Sequence, residues 1–163
     1  MKKIIILSDT HSALDKRFFP HLEDANEIWH AGDIGDIGIL ENLEKITKVR
    51  AVYGNIDNHI IRSATKAFIN FKCEEVNVLI THIGGYPGKY TKGIKEKIQK
   101  LRPKLFICGH SHILKVIFDK KFNLLHMNPG AAGNYGVHKV KTILKFKIDK
   151  ENITDLKVIE LKR

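Results

Sequence analysis

The sequence predicts a single α/β domain, and three observations support this prediction. The chain has 163 residues, which is close to the usual size of one domain and enough to enclose a substantial core. Short apolar runs alternate with amphipathic stretches, as they do when strands and helices are interleaved. From Ile113 onward, apolar and polar residues alternate without helical spacing, which indicates antiparallel strands. No linker, repeat or low-complexity tract divides residues 1–163, so one domain is expected.

Five apolar runs have the pattern of strands that are buried on both faces. They are Lys3–Ser8, Glu27–Ala31, Val49–Tyr53, Val76–Thr81 and Leu105–Cys108. Later segments show the alternation of antiparallel strands. These are Val116–Phe118, Leu124–His126, Val140–Ile148 and Ile153–Leu161. The chain therefore places strands of the parallel type first and a β-rich part last.

Two helices are expected between the strands. Asp36 is a suitable N-cap for the first, in which Leu40 and Leu43 lie near one face. Thr91 is a suitable N-cap for the second, whose apolar residues recur at helical spacing until Pro103 ends it.

Composition indicates a cytoplasmic protein. Cys73 and Cys108 lie inside apolar runs, so both are expected to be reduced core residues. The apolar stretch after Lys2 and Lys3 ends at Asp9, which makes it too short for a signal peptide. No run approaches the ~20 apolar residues that a membrane span needs, so no membrane partner is expected.

The net charge of +10 is unevenly distributed. Residues 1–80 carry 10 Lys or Arg and 12 Asp or Glu, whereas residues 81–163 carry 18 and 6. A basic half can bind a polyanion, attract phosphorylated substrates or form a lysine-rich solvent surface. Lysine dominates and aromatic residues are not interleaved with it, so a solvent surface is favoured and nucleic acid is not indicated as a partner. Alternate lysines of one strand are expected to face solvent: Lys139, Lys141, Lys145 and Lys147.

Polar residues follow nearly every predicted strand of the first part, usually beside a glycine. They are Asp9 and His11, Asp33, Asn55 and Asp57, His82, and His110 and His112. In open α/β folds the carboxyl ends of the strands meet at a crevice where ligands bind. Gly32, Gly54 and Gly109 would permit the tight turns and close backbone approach that such a cluster requires. The strand ends therefore predict one shared polar site.

The residue types at this site indicate metal binding. Imidazoles and carboxylates without thiolates suit manganese, iron, zinc or cobalt. Seven ligands are too many for one ion with open positions, but they suffice for two ions if one carboxylate bridges. Paired ions sit ~3.5–4 Å apart and generate hydroxide near neutral pH. We therefore predict two divalent transition-metal ions. Manganese is the favoured metal, and iron, zinc, cobalt and nickel are alternatives.

The five motifs resemble the signature of the calcineurin-like metallophosphoesterase superfamily. They read Asp-x-His, Gly-Asp, Gly-Asn-x-Asp, a lone His after a strand, and Gly-His-x-His. The small size and Asn128-Pro129-Gly130 are similar to its YfcE-like branch of small bacterial phosphodiesterases. The resemblance, from Ile4 to about Gly133, implies a two-sheet β-sandwich flanked by helices. It also implies hydrolysis of phosphate esters, above all diesters, by a hydroxide that the two metals activate.

The resemblance further implies how the ligands divide between the metals. It assigns Asp9, His11 and His112 to one metal, Asn55, His82 and His110 to the other, and Asp33 to the bridge between them.

The sequence departs from this superfamily at two positions. Relatives commonly have a His that helps the leaving group where this chain has Ile56, and isoleucine cannot donate a proton. His59 could take over this role or be an exposed loop residue, and Asp57 could support a histidine or shape the turn. Relatives often have His-Gly-His where this chain has His82-Ile83-Gly84, which removes a contact but no ligand.

Other roles for the same residues stay open. His30 could orient a metal ligand or be a buried structural histidine, and His126 is expected to be structural. A non-catalytic scaffold of the retromer-subunit type would not need seven converging polar residues. A nuclease of the same superfamily would fit the basic half, but no recognition helix or capping domain is evident. The expected partner is a small phosphorylated substrate, and the oligomeric state is not predicted.

Overall fold

Ten strands and four helices make up the fold, and the computed structural model describes all residues from 1 to 163. The strands are β1 (Lys2–Leu7), β2 (Glu27–His30), β3 (Lys48–Ala51), β4 (Phe68–Cys73), β5 (Val76–Thr81), β6 (Leu105–Ile107), β7 (Leu114–Asp119), β8 (Leu124–Pro129), β9 (Val140–Asp149) and β10 (Asn152–Lys162). The helices are α1 (Phe19–Leu22, after a 3-10 turn at Lys16–Phe18), α2 (Ile37–Glu44), α3 (His59–Ala64) and α4 (Lys92–Leu101). No helix has the length and apolar character that crossing a membrane requires.

The strands form two five-stranded sheets. The first has the order β10-β9-β1-β2-β3, and the second has the order β4-β5-β6-β8-β7. In the first sheet β1, β2 and β3 are parallel, while β9 and β10 run antiparallel to their neighbours. In the second sheet β5, β6 and β8 are parallel, while β4 and β7 are antiparallel edge strands. The predicted fold class, with two sheets and flanking helices, is confirmed.

The alternation along β1 explains how the first sheet is covered on both faces. Ile4 and Ile6 pack into the core between the two sheets. Ile5 and Leu7 point the other way and belong to a second core, which includes Leu22 of α1. All four of these β1 side chains are fully buried, which accounts for the continuous apolar run.

Helices begin and end largely where the sequence indicates. Asp36 caps α2 by accepting a hydrogen bond from the Gly38 N–H at 2.7 Å, as predicted. Thr91 precedes α4 but makes no capping hydrogen bond with its side chain. Arg102 ends α4 in a left-handed conformation directly before Pro103.

The sequence does not predict α1, α3 or β4. Helix α3 has only six residues, and its start depends on the Asn58 side chain, which accepts a hydrogen bond from the Ile61 N–H at 3.1 Å. Strand β4 lies at an edge of the second sheet, where exposed and half-buried residues alternate, so no continuous apolar run marks it. The solvent position expected for Lys141 is wrong. Its side chain is 5% exposed, and its Nζ lies 2.6 Å from the Asp15 carboxylate.

Candidate metal centre

The loops that follow β1, β2, β3, β5 and β6 meet at one place and bring the predicted ligands together. Six of them form two groups, and within each group the ligand atoms lie within 4.8 Å of one another. The groups are Asp9, His11 and His112, and Asp33, His82 and His110. The first set matches the one that the family resemblance implies.

Asp33 lies between the two groups. Its Oδ2 is 3.5 Å from His11 Nε2, and its Oδ1 is 3.2 Å from His82 Nε2. Each carboxylate oxygen therefore faces a histidine of a different group, which is the arrangement expected of a bridging carboxylate. Within the first group, Asp9 Oδ1 lies 3.2 Å from His112 Nε2, but the two atoms do not have the geometry of a hydrogen bond.

Asn55 joins the second group through its side-chain oxygen. Asn55 Oδ1 lies 3.1 Å from His82 Nε2. The opposite ring nitrogen of His82 is 2.7 Å from the carbonyl oxygen of Ala31, so Nδ1 carries the proton and donates it. Nε2 points into the centre, where it faces the acceptor oxygens of Asn55 and Asp33, and it would offer its lone pair once a metal ion replaced its proton.

The backbone at the ligands is strained. Five of the seven residues adopt left-handed conformations, with φ between 43° and 70°: Asp9, His11, Asp33, His110 and His112. Such a conformation costs a non-glycine residue about 1 kcal/mol or more, and it persists only where the surroundings enforce it. Two glycines permit the crowding, because a side chain at Gly54 would collide with Asp33, and one at Gly109 would collide with Ser8.

Two buried atoms at the centre have no hydrogen-bond partner. They are Asp9 Oδ1 and His11 Nε2. The other Asp9 oxygen accepts a hydrogen bond from the His110 backbone N–H at 3.0 Å, so only Oδ1 is left over. An unpaired buried carboxylate oxygen is unfavourable, and a divalent cation would supply its missing partner. Because imidazole and carboxylate donors suit manganese, iron, zinc and cobalt, the residues present fit such ions.

Burial and hydrogen bonding set the protonation of these groups. Burial lowers the pKa of His11. Burial acts in the same sense on His82, but the protonated ring donates a hydrogen bond to Asp33, and this outweighs burial and raises the pKa of His82. Burial would raise the pKa of Asp33, but the same hydrogen bond prevails and lowers it. Asp33 is therefore an anion at neutral pH, and its charge would favour the binding of cations.

Asp57 holds two loops together rather than supporting a histidine. Its carboxylate accepts backbone hydrogen bonds from Gly54 at 2.7 Å, Ile34 at 3.1 Å and Gly35 at 2.8 Å. It makes no hydrogen bond to a histidine, so the supporting role that the sequence suggested is corrected to a structural one. His59 is exposed at the start of α3 and makes no hydrogen bond to the centre, so the structure supports the loop alternative for it.

His30 connects the loops that carry Asp9 and Asp33. Its Nδ1 accepts a hydrogen bond from the Gly32 N–H at 3.1 Å, so its Nε2 must donate to Thr10 Oγ1 at 3.0 Å. Thr10 in turn donates to the carbonyl of Ile34 at 2.9 Å. His30 is thus a fully satisfied structural histidine, one of the two roles left open by the sequence.

The stability of the metal-free protein is expected to decrease between pH 6.5 and pH 4 because of His30. Burial lowers its pKa to about 4 from an ordinary value of 6.5. Between these pH values His30 binds a proton in the unfolded chain but not in the folded protein. The free energy of unfolding should therefore fall by roughly 2–3 kcal/mol across this range as the pH is lowered. Urea unfolding in the presence of a chelator, at several pH values, measures this slope. In His30→Gln the free energy of unfolding should depend less on pH, because the contribution of His30 is absent. Equal pH dependence in both proteins would contradict the assignment.

Two residues of the β8–β9 loop contact the first ligand group, and the sequence does not reveal them. The ring of Tyr135 lies 4.7 Å from that of His11, centroid to centroid, and the ring of His138 lies 5.4 Å from that of His112. His138 Nε2 is 2.8 Å from the Gly133 carbonyl and so carries the proton, which leaves a lone pair on the buried and unpartnered Nδ1. Neither residue follows a strand in a recognised motif, so no signal in the sequence marked them.

Ile56 and the pair Ile83-Gly84 lie at the two places where the sequence departs from the pattern of the superfamily. The side chains of Ile56 and Ile83 are exposed, at 47% and 42%. The backbone N–H of Ile56 donates to Asp33 Oδ1 at 3.2 Å, so this residue borders the centre with an apolar side chain.

A comparison with protein families gives a match over most of the chain. Residues 1–151 match the family model of the calcineurin-like phosphoesterase superfamily domain. No curated protein matches the chain.

Solved structures with the same fold include proteins of different kinds. Wild-type Vps29 from Entamoeba histolytica in complex with Zn²⁺ has a TM-score of 0.77 at 15% identity, with 98% of each chain covered. A novel archaeal phosphodiesterase has a TM-score of 0.73 at 22% identity, covering 98% of this chain and 99% of its own. A predicted phosphoesterase from Streptococcus pneumoniae TIGR4 has a TM-score of 0.68 at 19% identity, covering 99% and 89%. At these identities the similarity shows the fold.

Proposed function

The chain belongs to the calcineurin-like phosphoesterase superfamily, and we propose that it is a metal-dependent phosphoesterase that acts on phosphodiesters. One observation carries this proposal. Ligand-type side chains from five strand ends converge, and the two oxygens of Asp33 face histidines of different groups. Two buried atoms there lack partners in the protein itself, which favours a site built for cations.

The proposal divides the ligands in the way that the family resemblance implies. Asp9, His11 and His112 would hold one ion, Asn55, His82 and His110 the other, and Asp33 would contact both. When bound, such a pair of ions supplies an activated water for attack on phosphorus and neutralises the charge that develops there.

The residues of the chain contribute positioning and charge. Asp33 is already ionised before any ion binds, because its hydrogen bond with the protonated His82 ring outweighs burial and lowers its pKa. The Ala31 carbonyl keeps His82 Nε2 directed inward. The side chain of Ile56 offers no proton to the departing alcohol, so esters with stable leaving groups are the expected substrates.

The experiment that tests the proposal combines metal analysis with an assay. Purified protein reconstituted with manganese should approach two equivalents of metal per chain and should hydrolyse bis(4-nitrophenyl) phosphate. Removal of the metal by a chelator should abolish hydrolysis, and addition of manganese should restore it. Metal content near zero, or two bound equivalents without hydrolysis of any diester or monoester, would reject an enzymatic role.

A non-catalytic scaffold of the retromer-subunit type is the second candidate. It is favoured by the similarity to Vps29, whose structures cover nearly the whole length of this chain. Because one of those structures contains Zn²⁺, metal binding alone does not separate the two candidates, and hydrolysis is the decisive measurement. A nuclease is the third candidate, and it would bind DNA or RNA with an affinity that falls steeply with salt.

A further inference from the structure

A cavity of about 230 Å³ opens beside the second ligand group. We refer to it as the Tyr86 cavity. It lies between the loop after β5 and strand β7, over β8, and His110 forms part of its wall. The cavity therefore borders the second ligand group, beside which the proposed function puts the phosphoryl group.

The walls of the Tyr86 cavity combine apolar surface with one fixed charge. Ile83, Tyr86 and Ile113 supply the apolar side chains. Lys115 is the only lining residue with an ionic side chain, and its Nζ lies 4.1 Å from the centre of the Tyr86 ring. This cation–π contact holds the ammonium group at the cavity rather than in open solvent. The cavity thus offers an aromatic surface and a positive charge side by side.

His126 adds a buried polar group to the cavity lining. Its side chain is 1% exposed, and its Nδ1 has no hydrogen-bond partner. The ring packs near Phe106 and Tyr90, with centroids 5.6 Å and 6.3 Å away. Burial and then the nearby Lys115 lower the pKa of His126 to about 4, so the ring is neutral at pH 7. Lys115 therefore provides the charge of the cavity without competition from a second cation.

A second depression, lined in part by Asn55 and His82, lacks a comparable free charge. Arg62 lines it, but the guanidinium group donates to the backbone carbonyls of Asp57 at 2.7 Å and Asn55 at 3.3 Å. It also lies over the ring of Tyr53, at 4.7 Å from its centre. The hydrogen bonds of Arg62 therefore stabilise the loop after β3. Lys115 has no acidic partner, and its ammonium group contacts the Tyr86 ring.

We propose that the Tyr86 cavity binds the organic group of a small phosphoester, and that it selects a single planar ring bearing an anionic substituent. The ring packs against Tyr86 and the two isoleucines, and the substituent pairs with Lys115. The volume admits one ring and not several, since pockets for drug-sized ligands span ~300–1,000 Å³. This assignment rests on the proposed function only in placing the phosphoryl group at the metal centre.

Non-hydrolysable phosphonates test the proposal independently of catalysis. The probes are methylphosphonate, phenylphosphonate and 4-phosphonobenzoate, titrated calorimetrically into zinc-reconstituted protein. Phenylphosphonate should bind about tenfold more tightly than methylphosphonate, because the ring is removed from water. The added carboxylate of 4-phosphonobenzoate should give a further gain of about threefold through Lys115.

Matched variants assign each gain to a side chain. Lys115→Met should remove only the gain from the carboxylate. Lys97→Met is the control, because Lys97 also lies over an aromatic ring, 4.6 Å from the centre of Phe68, but does not line the cavity. Tyr86→Ala should reduce the gain from the ring, and Tyr86→Phe should retain it.

The outcomes separate this proposal from the proposed function. Equal dissociation constants for the three phosphonates, or equal effects of Lys115→Met and Lys97→Met, would overturn the cavity assignment even if diesters are hydrolysed. Affinity that rises from methylphosphonate to phenylphosphonate to 4-phosphonobenzoate, with the expected effects of Lys115→Met and Tyr86→Ala, would support the assignment even if no ester were hydrolysed.

Discussion

Replacement of Asp33 by asparagine is expected to abolish nearly all phosphoesterase activity. The two oxygens of Asp33 face His11 at 3.5 Å and His82 at 3.2 Å, so this carboxylate serves both ligand groups. An amide keeps the shape of the side chain but removes its charge and one acceptor. Losing even an outer partner of a metal ligand costs about 10–100-fold in affinity or activity, so a larger loss is expected for a shared ligand. Metal content per chain and the rate of ester hydrolysis should both fall in Asp33→Asn, and both can be measured on the same preparation.

Asp36→Asn is the matched control. Asp36 lies three residues further along the same loop, and its carboxylate caps α2 through the Gly38 N–H. Asparagine is also a good N-cap, so stability should fall by at most about 1 kcal/mol and activity should persist. If Asp33→Asn and Asp36→Asn lost the same share of activity and metal, the assignment of Asp33 as the shared ligand would be wrong.

The rate of hydrolysis is expected to depend steeply on the pKa of the leaving alcohol. Ile56 borders the centre, and its exposed side chain cannot donate a proton to the departing oxygen. General acid catalysis is typically worth ~10²–10⁴-fold, and its absence penalises alkyl esters far more than aryl esters. A plot of log rate against leaving-group pKa, measured over a series of esters, should therefore slope strongly downward.

Two substitutions test the cause of this slope. Ile56→His should flatten the plot by accelerating the alkyl esters most. His59→Ala should leave it unchanged, because His59 is exposed on α3 and makes no hydrogen bond to the centre. A shallow slope in the unmodified protein that becomes steep in His59→Ala would identify His59 as the acid after all.

The sequence predicts the fold and the members of the site because both depend on local patterns. Buried parallel strands leave continuous apolar runs, such as Ile4 to Leu7, and the polar residue that follows each run marks a strand end. Asp9 and His110 could be placed at one site on this basis, although they are 101 positions apart. Asp36 is recognised as a cap for a similar reason, since its partner is only two residues away.

The remaining features depend on contacts that no local pattern encodes. Tyr135 reaches His11, and His138 reaches His112, only because β8 and β9 bring their connecting loop over the centre. Lys141 looks like a solvent-facing residue in an alternating strand until Asp15, 126 positions earlier, provides its buried partner. Asp57 has the composition of a supporting ligand, but three backbone N–H groups take up its oxygens.

The position of the β8–β9 loop makes the two halves of the centre unequal. Tyr135 and His138 lie against the histidines that accompany Asp9, whereas Asn55 and His110 are open to solvent. A cation bound beside the loop would exchange with the surrounding solution more slowly than its neighbour. Such a protein would keep one ion and gain or lose the other as the free metal concentration varied. The fraction of molecules with both ions bound would then follow that concentration.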